Sequence, residues 1–448
     1  MKSQDVNMLS GSVTKGLITL ALPIMIMNVG QTLFNVIDMT VLKIFSDDSA
    51  VGAIGASGSL ISLCTALLIG ISVGANIVVA KRIGMKNNER VEKAIMTALS
   101  LAIAGGLLLM IIGVVFSMRF LKMTNCPDDL IREATIYFKL YFVGIPFLML
   151  YNFCAAILRA AGDTKRPMYY LILGGIIKVI FTLLFAAVFN MRAKGVAAST
   201  IISNIVISIL ALRTVSRIEI INFNLRKLRF YGSELKEMLF VGIPSGLQTA
   251  MYSFANVIIM TVVNGFGAYA TTGISIANQF DGIMYQVIYA PSLAVVPYVA
   301  QNIGAGNIKR MKEAVLKAVF ITTAIGAFMG AFFAIFSGRL SSIMSDTPEV
   351  IRFSQQKMII ISSTYFLHGI NEILGGTLKG MGRPIIPAVA TLLYMCLFRF
   401  VWVYVIYPFC PQNLTFLYLV WPVGWILCIV TLLAFYILSA KKVQSELS

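Results

Sequence analysis

Charge is what this sequence has least of. Asp, Glu, Lys and Arg make up only 12% of its 448 residues, while 58% are hydrophobic. A soluble chain carries about twice that share of charge, so a water-soluble enzyme or binding module is excluded. Histidine occurs once, as His368, and the six cysteines, Cys64, Cys126, Cys154, Cys396, Cys410 and Cys428, form no C-x-x-C pair. Zinc sites need several Cys or His ligands at short spacing, so no metal centre is expected. The cysteines read as small buried hydrophobes; Cys126 and Cys410 fall in loops assigned to the outer face, where a disulfide between them stays open. Adjacent acids occur at Asp47-Asp48 and Asp128-Asp129, both in outer loops, which argues against an intramembrane enzyme working on Mg²⁺-pyrophosphate. Ile303-Gly-Ala-Gly306 lacks the Lys-Ser/Thr of a nucleotide P-loop, so direct ATP drive is not expected. The short alternating strands of a barrel and the filter repeat of a channel are missing too.

What is present is a series of apolar runs. Twelve candidate helices cover 16–43, 50–79, 94–118, 133–158, 168–190, 195–216, 236–263, 271–299, 314–337, 351–378, 385–408 and 416–440. Each is long enough for a bilayer span, and helices satisfy every backbone amide inside their own segment. The first run has no A-x-A site after it and reads as a span, not a cleavable leader. The net charge of +17 does not point to nucleic acid, because the basic residues sit in alternate short loops. Lys81, Arg82, Lys86 and Arg90, then Arg159, Lys165 and Arg166, then Arg213 to Lys236, then Lys309, Arg310, Lys312, Lys379 and Arg383 share one face. Lys2, Lys15, Lys441 and Lys442 put both termini on it. The positive-inside bias makes that face cytoplasmic.

The chain repeats itself. Asn35-Val-Ile-Asp-Met-Thr-Val41 matches Asn256-Val-Ile-Ile-Met-Thr-Val262, and Pro23 matches Pro244, both 221 residues apart. Val79-Ala-Lys-Arg-Ile-Gly84 matches Val299-Ala-Gln-Asn-Ile-Gly304, and Leu158-Arg-Ala-Ala-Gly162 matches Leu378-Lys-Gly-Met-Gly382, both 220 apart. The expected organisation is an N-terminal six-helix lobe (1–216), a basic cytoplasmic linker (217–235) and a C-terminal six-helix lobe (236–448). The fold class is an all-α membrane protein with a parallel pseudo-twofold repeat. Two such bundles can rock about a cleft, which is the physical case for a secondary transporter.

Ionisable groups at bilayer depth are costly and usually functional. The interior cases are Asp38, Lys178, Asp281, His368, Glu372 and Arg399. Asp38 faces Ile259 in the repeat, so the fold itself does not demand an acid there. A buried Lys178 ammonium needs a partner, and Asp38 is the best-placed acid of the N-terminal half. Lys178 and Thr182 share a helix face, as do His368 and Glu372. Charge balance pairs Arg399 with Asp281 or Glu372. Further polar candidates are Asn152, Thr200 and Asn204, which otherwise serve as interhelical glue.

Pro23, Gln31 and Asp38, Gly84, Leu158-Arg-Ala-Ala-Gly-Asp-Thr164, Gln301-Asn-Ile-Gly-Ala-Gly306 and Leu378-Lys-Gly-Met-Gly382, in this order and spacing, resemble the multidrug and toxic compound extrusion (MATE) family. The resemblance runs from about Leu17 to Ser439. It implies export of drugs or other small, often cationic, organic compounds across a bacterial cytoplasmic membrane, driven by H⁺ or Na⁺ and requiring no cofactor. It places the coupling carboxylate at Asp38 and draws helices 4 to 6, with Asn152, Thr200 and Asn204, around it. Many members carry Asn at the place of Lys178, and some carry Asp at that of Thr182. Some carry an acid near the place of Tyr252. The implied partners are a small-molecule substrate and the lipid bilayer, with the protein a monomer. A flippase for a lipid-linked precursor is the alternative within the same architecture; the few deep basic residues argue against it.

Overall fold

Hydrocarbon offers the backbone no water to bond, so an apolar chain that enters it closes its hydrogen bonds helically. The computed structural model, which describes residues 6–45, 48–123, 128–218, 228–411 and 413–447, contains twelve long helices and no strand among them. They are α1 (Val13–Phe45), α2 (Asp48–Gly84), α3 (Asn88–Met123), α4 (Asp128–Ala160), α5 (Lys165–Val188) and α6 (Arg192–Val215). After the linker, of which 219–227 lie outside the described residues, come α7 (Gly232–Asn264), α8 (Ala268–Gly304) and α9 (Ile308–Ile335). A short turn of helix, Ser337–Ser342, precedes α10 (Pro348–Gly380), α11 (Ile385–Phe409) and α12 (Leu414–Ser445). A helix of 33 residues such as α4 is roughly 50 Å long, more than the ~30 Å of hydrocarbon. Its ends therefore project into the polar zones, where the basic residues lie.

The repeat is carried by the helix ends themselves. Asp48–Gly84 returns as Ala268–Gly304 and Asp128–Ala160 as Pro348–Gly380, each displaced by 220 residues at both ends. The turns repeat as well. After α4, Asp163 N donates to Leu158 O at 2.9 Å and Gly162 has φ +92°; after α10, Arg383 N donates to Leu378 O at 2.9 Å and Gly382 has φ +75°. Both are helix stops with a left-handed residue after the last turn, a conformation that disfavours any side chain. The Leu-x-x-x-Gly motif seen twice in the sequence is this stop.

The helices divide into two compact units. One comprises Ile26–Gly246 with the first seven residues; the other comprises Met8–Met25 and Leu247–Ser448. The unit borders fall inside α1 and α7, each two residues beyond a proline, Pro23 and Pro244. In the first unit α4 is central and packs against α2, α3 and α6; in the second α10 packs against α8, α9 and α12. Gly106 on α3 lies so close to Pro146 of α4 that a Cβ would sit 2.7 Å from its Cα, and Gly326 on α9 meets Phe366 of α10 the same way at 2.8 Å. These pairs are again 220 residues apart. Within the first unit, Gly70 and Gly74 of α2 face Gly242 and Gly246 of α7, and a Cβ on Gly70 would lie 2.2 Å from Gly246 N. Small residues four apart on both helices let the backbones touch.

The basic ends hold the segments that lead into α1 and α7. In the first unit Arg82, 4% exposed, donates to Glu234 at 3.0 Å, with Glu237 at 2.5 Å and Lys81–Glu237 at 2.8 Å. Burial opposes the Arg82 charge, but the Glu234 hydrogen bond and the two carboxylates outweigh it and hold the guanidinium protonated beyond its ordinary value. In the second unit the repeat position of Arg82 is Asn302, whose amide donates to Met8 O at 3.1 Å. The repeat position of Arg90 is Arg310, which donates to the carbonyls of Met8, Ser10 and Gly11 at 2.8, 2.6 and 2.9 Å.

Candidate functional site

Two polar sites lie at membrane depth, one inside each unit. In the first, Asp38 on α1 is 6% exposed and forms an ion pair with Lys178 on α5. Thr182, one turn along α5, approaches the other carboxylate oxygen with its hydroxyl at 3.4 Å. Thr182 Oγ1 also lies 2.7 Å from Ser199 Oγ on α6, and both residues are 1% exposed or less. The pair expected from charge alone is thus formed, and the Thr182 and Ser199 hydroxyls extend it to a third helix. Ser199 escaped the sequence reading. Its signal was the spacing to Ser203, four residues on and on the same face, which donates to Gly174 O of α5 at 2.7 Å.

The other N-terminal candidates bond elsewhere. The Asn152 amide donates to Leu148 O at 2.9 Å and the Thr200 hydroxyl to Val196 O at 2.8 Å, each within its own helix. Asn204 is buried on α6, close to Gly144 of α4.

In the second unit a cavity of about 480 Å³ opens between α7, α8, α10, α11 and α12. Asp281 on α8 lines it and is bound by Lys357 of α10, 2.7 Å from Oδ2. Lys357 also donates to Asn278 Oδ1. Of the two acids that charge balance offered to Arg399, Asp281 is bound by Lys357 instead. The reason is position. Lys357 lies less than two turns inside the assigned span 351–378 and reads as an end residue, but α10 begins at Pro348 and carries it inward. Arg399 donates to Asn256 Oδ1 of α7 at 2.8 Å and lies over the Trp421 ring, 5.1 Å from its centre. His368 is stacked between Tyr285 and Trp425, with ring centres 5.6 and 5.3 Å away, and its Nε2 is 3.8 Å from Glu372 Oε1. Glu372 is buried and its backbone carbonyl accepts from Ser292. Cys410 is a free thiol, and Cys126 lies outside the described residues.

The two sites are related and unequal. In each unit a cation on the fifth helix of the repeat reaches a polar group on the first: Lys178 of α5 to Asp38 of α1, and Arg399 of α11 to Asn256 of α7. Both fifth helices contain π-helical turns, Leu184–Val188 in α5 and Leu392–Leu397 and Trp402–Ile406 in α11. Such turns are enriched at functional sites. The first unit supplies a carboxylate to its cation, and the second a neutral amide where the acid has become Ile259.

The family model described as MatE matches this chain twice, over residues 23–184 and 244–405. The "Probable multidrug resistance protein YoeA" of Bacillus subtilis (strain 168) is 25% identical over 390 residues, covering 85% of this chain and 84% of the relative. The "Probable multidrug resistance protein YpnP" of the same organism is 27% identical over 406 residues, 89% of each. A solved structure described as "Crystal structure of MATE in the straight conformation" superposes with a TM-score of 0.90 at 20% identity, covering 100% of this chain and 99% of that one. The first matched stretch holds Asp38 and Lys178, the second holds Asn256, Asp281, Lys357 and Arg399, and each begins at the proline of its first helix. The chain belongs to the MatE family of membrane transporters, which are not enzymes.

Proposed function

We propose that this protein is a secondary antiporter that exports small organic compounds, often cationic ones, in exchange for inward-moving H⁺ or Na⁺, with Asp38 as the coupling carboxylate. The observation that carries the reading is the buried Asp38–Lys178 pair, backed by the Thr182 and Ser199 hydroxyls. A carboxylate can accept either ion, and either one neutralises it. The Lys178 ammonium then loses its counter-charge inside a low-dielectric bundle, which favours a rearrangement of α5 against α1. Occupancy of Asp38 is thereby linked to conformation, as exchange requires. The relatives named for multidrug resistance support a drug-like cargo. The protein works as a monomer in the bacterial cytoplasmic membrane with both termini inside, without a cofactor.

The test is efflux of a cationic dye from cells or inverted vesicles under separately imposed H⁺ and Na⁺ gradients. Asp38→Asn is expected to abolish gradient-driven efflux while the protein still reaches the membrane in normal amount. Full efflux by Asp38→Asn would remove this residue from the mechanism. Efflux indifferent to both gradients would remove ion coupling.

A further inference from the structure

The cavity of the second unit is built for a different charge than a cationic cargo needs. Its charged lining comprises two cations, Lys357 and Arg399, against one carboxylate, Asp281. Asp281 Oδ2 is already matched by Lys357 at 2.7 Å. Its Oδ1 is buried and meets no hydrogen-bond donor among the described residues, as is true of the Tyr418 hydroxyl. The walls are aromatic. Trp421 carries Lys357 and Arg399 over its face, 5.7 and 5.1 Å from the ring centre, and Trp425 stacks on His368. The volume of about 480 Å³ falls in the range of small-molecule sites, roughly 300–1,000 Å³.

We infer that this cavity is a binding site for an aromatic organic anion. The acidic group of the ligand lies against the guanidinium of Arg399 and the ammonium of Lys357. Guanidinium is the side chain that best matches a planar carboxylate, and it does so at a site with low dielectric. The ligand ring lies among Trp421, Trp425 and Tyr285, which give it area and stacking. The unbonded Asp281 Oδ1 accepts a proton donor from the ligand, and the Tyr418 hydroxyl supplies a donor. A cation in the same place would face the like charges of Lys357 and Arg399, with only the Lys357-bound Asp281 to oppose them. This assignment rests on the export reading only in making the ligand a transported one; the binding itself stands on the cavity.

All three tryptophans of the chain, Trp402, Trp421 and Trp425, belong to α11 and α12, and two of them line the cavity. Intrinsic fluorescence therefore reports on this site. The probes are para-nitrobenzoate, para-nitrobenzamide and para-nitrobenzylammonium, which share a quenching ring and differ in charge. They are titrated into the purified full chain in nanodiscs. We expect saturable quenching by the benzoate, roughly tenfold weaker affinity for the amide and none for the ammonium. Arg399→Gln is expected to weaken benzoate binding by roughly tenfold without changing the amide. Arg399→Lys restores part of the loss. The unfolding midpoint of each variant is read in the same preparation, and the double variant Asp281→Asn, Lys357→Gln provides a second route that removes a cation without orphaning its partner. Equal affinity for the three probes, or tightest binding of the ammonium, overturns the proposal. Benzoate binding without any gradient-driven export leaves the cavity assignment standing and sinks the antiporter reading; cationic-dye efflux with no benzoate binding does the reverse.

Discussion

Removing Lys178 while leaving Asp38 in place should be more harmful than removing both charges. The two side chains are 16% and 8% exposed. Deleting one member of a buried pair typically costs about 3–5 kcal/mol, because the other is left as an unmatched charge. Two features lower the figure here. Lys178 has some access to water, and the Thr182 hydroxyl, 3.4 Å from Asp38 Oδ1, remains as a weak donor. We expect Lys178→Gln to destabilise the protein by about 2–3 kcal/mol and Asp38→Asn by about 1–2 kcal/mol. In the double variant two amides face each other and can hydrogen-bond, so its cost should be about 1 kcal/mol. The cycle then gives a coupling of about 2 kcal/mol or more, far above the scatter of independent sites, ~0.5 kcal/mol. The measurement is reversible unfolding in mixed micelles for the four proteins at one pH and salt concentration. Additive single costs would refute the argument that the pair ties α1 to α5.

Three other perturbations have clear expected outcomes. Arg82→Met strands Glu234, which is 1% exposed; since Arg90 stays 3.7 Å from Glu234 and Lys81 keeps Glu237, the loss should fall near the lower end of about 3–5 kcal/mol, and no change in unfolding midpoint would contradict a buried network. Gly242→Val forces a Cβ to within 2.4 Å of Ile71 Cα; backbone cannot yield as a side-chain tip does, so a loss of at least about 1–3 kcal/mol is expected, with Gly242→Ala already measurable in the same unfolding assay. Arg310→Gln removes a guanidinium that binds three carbonyls of the Met8–Gly11 segment; hydrogen exchange at residues 8 to 12 should rise by about tenfold, the equivalent of ~1.4 kcal/mol of local stability, and unchanged protection would show that the segment is held by other contacts.

Twelve spans and a twofold repeat were legible in the sequence because both are local or periodic. Apolar run length reports helices directly where the solvent is hydrocarbon, and the motifs at 162 and 382 report the same left-handed helix stop. The repeat also shows where chemistry diverged. Arg82 and Asn302 occupy one structural position, yet the first binds carboxylates of α7 and the second a backbone carbonyl before α1.

The partners were less legible. Asp38 with Lys178 could be proposed because each was the deepest charge of its sign in one half. Lys357 could not, because it lies within two turns of the assigned span start and so reads as an end charge. The glycine pairs that bring α2 to α7, Gly70 with Gly246 and Gly74 with Gly242, are visible only in the structure.

Sequence alone thus determined the membrane class, the number of spans, the repeat and the residues that carry charge into the bilayer, since each follows from composition along the chain. Which cation meets which acid was decided by tertiary structure. Partnering in a helix bundle depends on rotation about each axis, where one residue turns a side chain by 100°. The same rotation set three tryptophan-bearing and basic segments around one cavity in the second unit, and no linear pattern reports that.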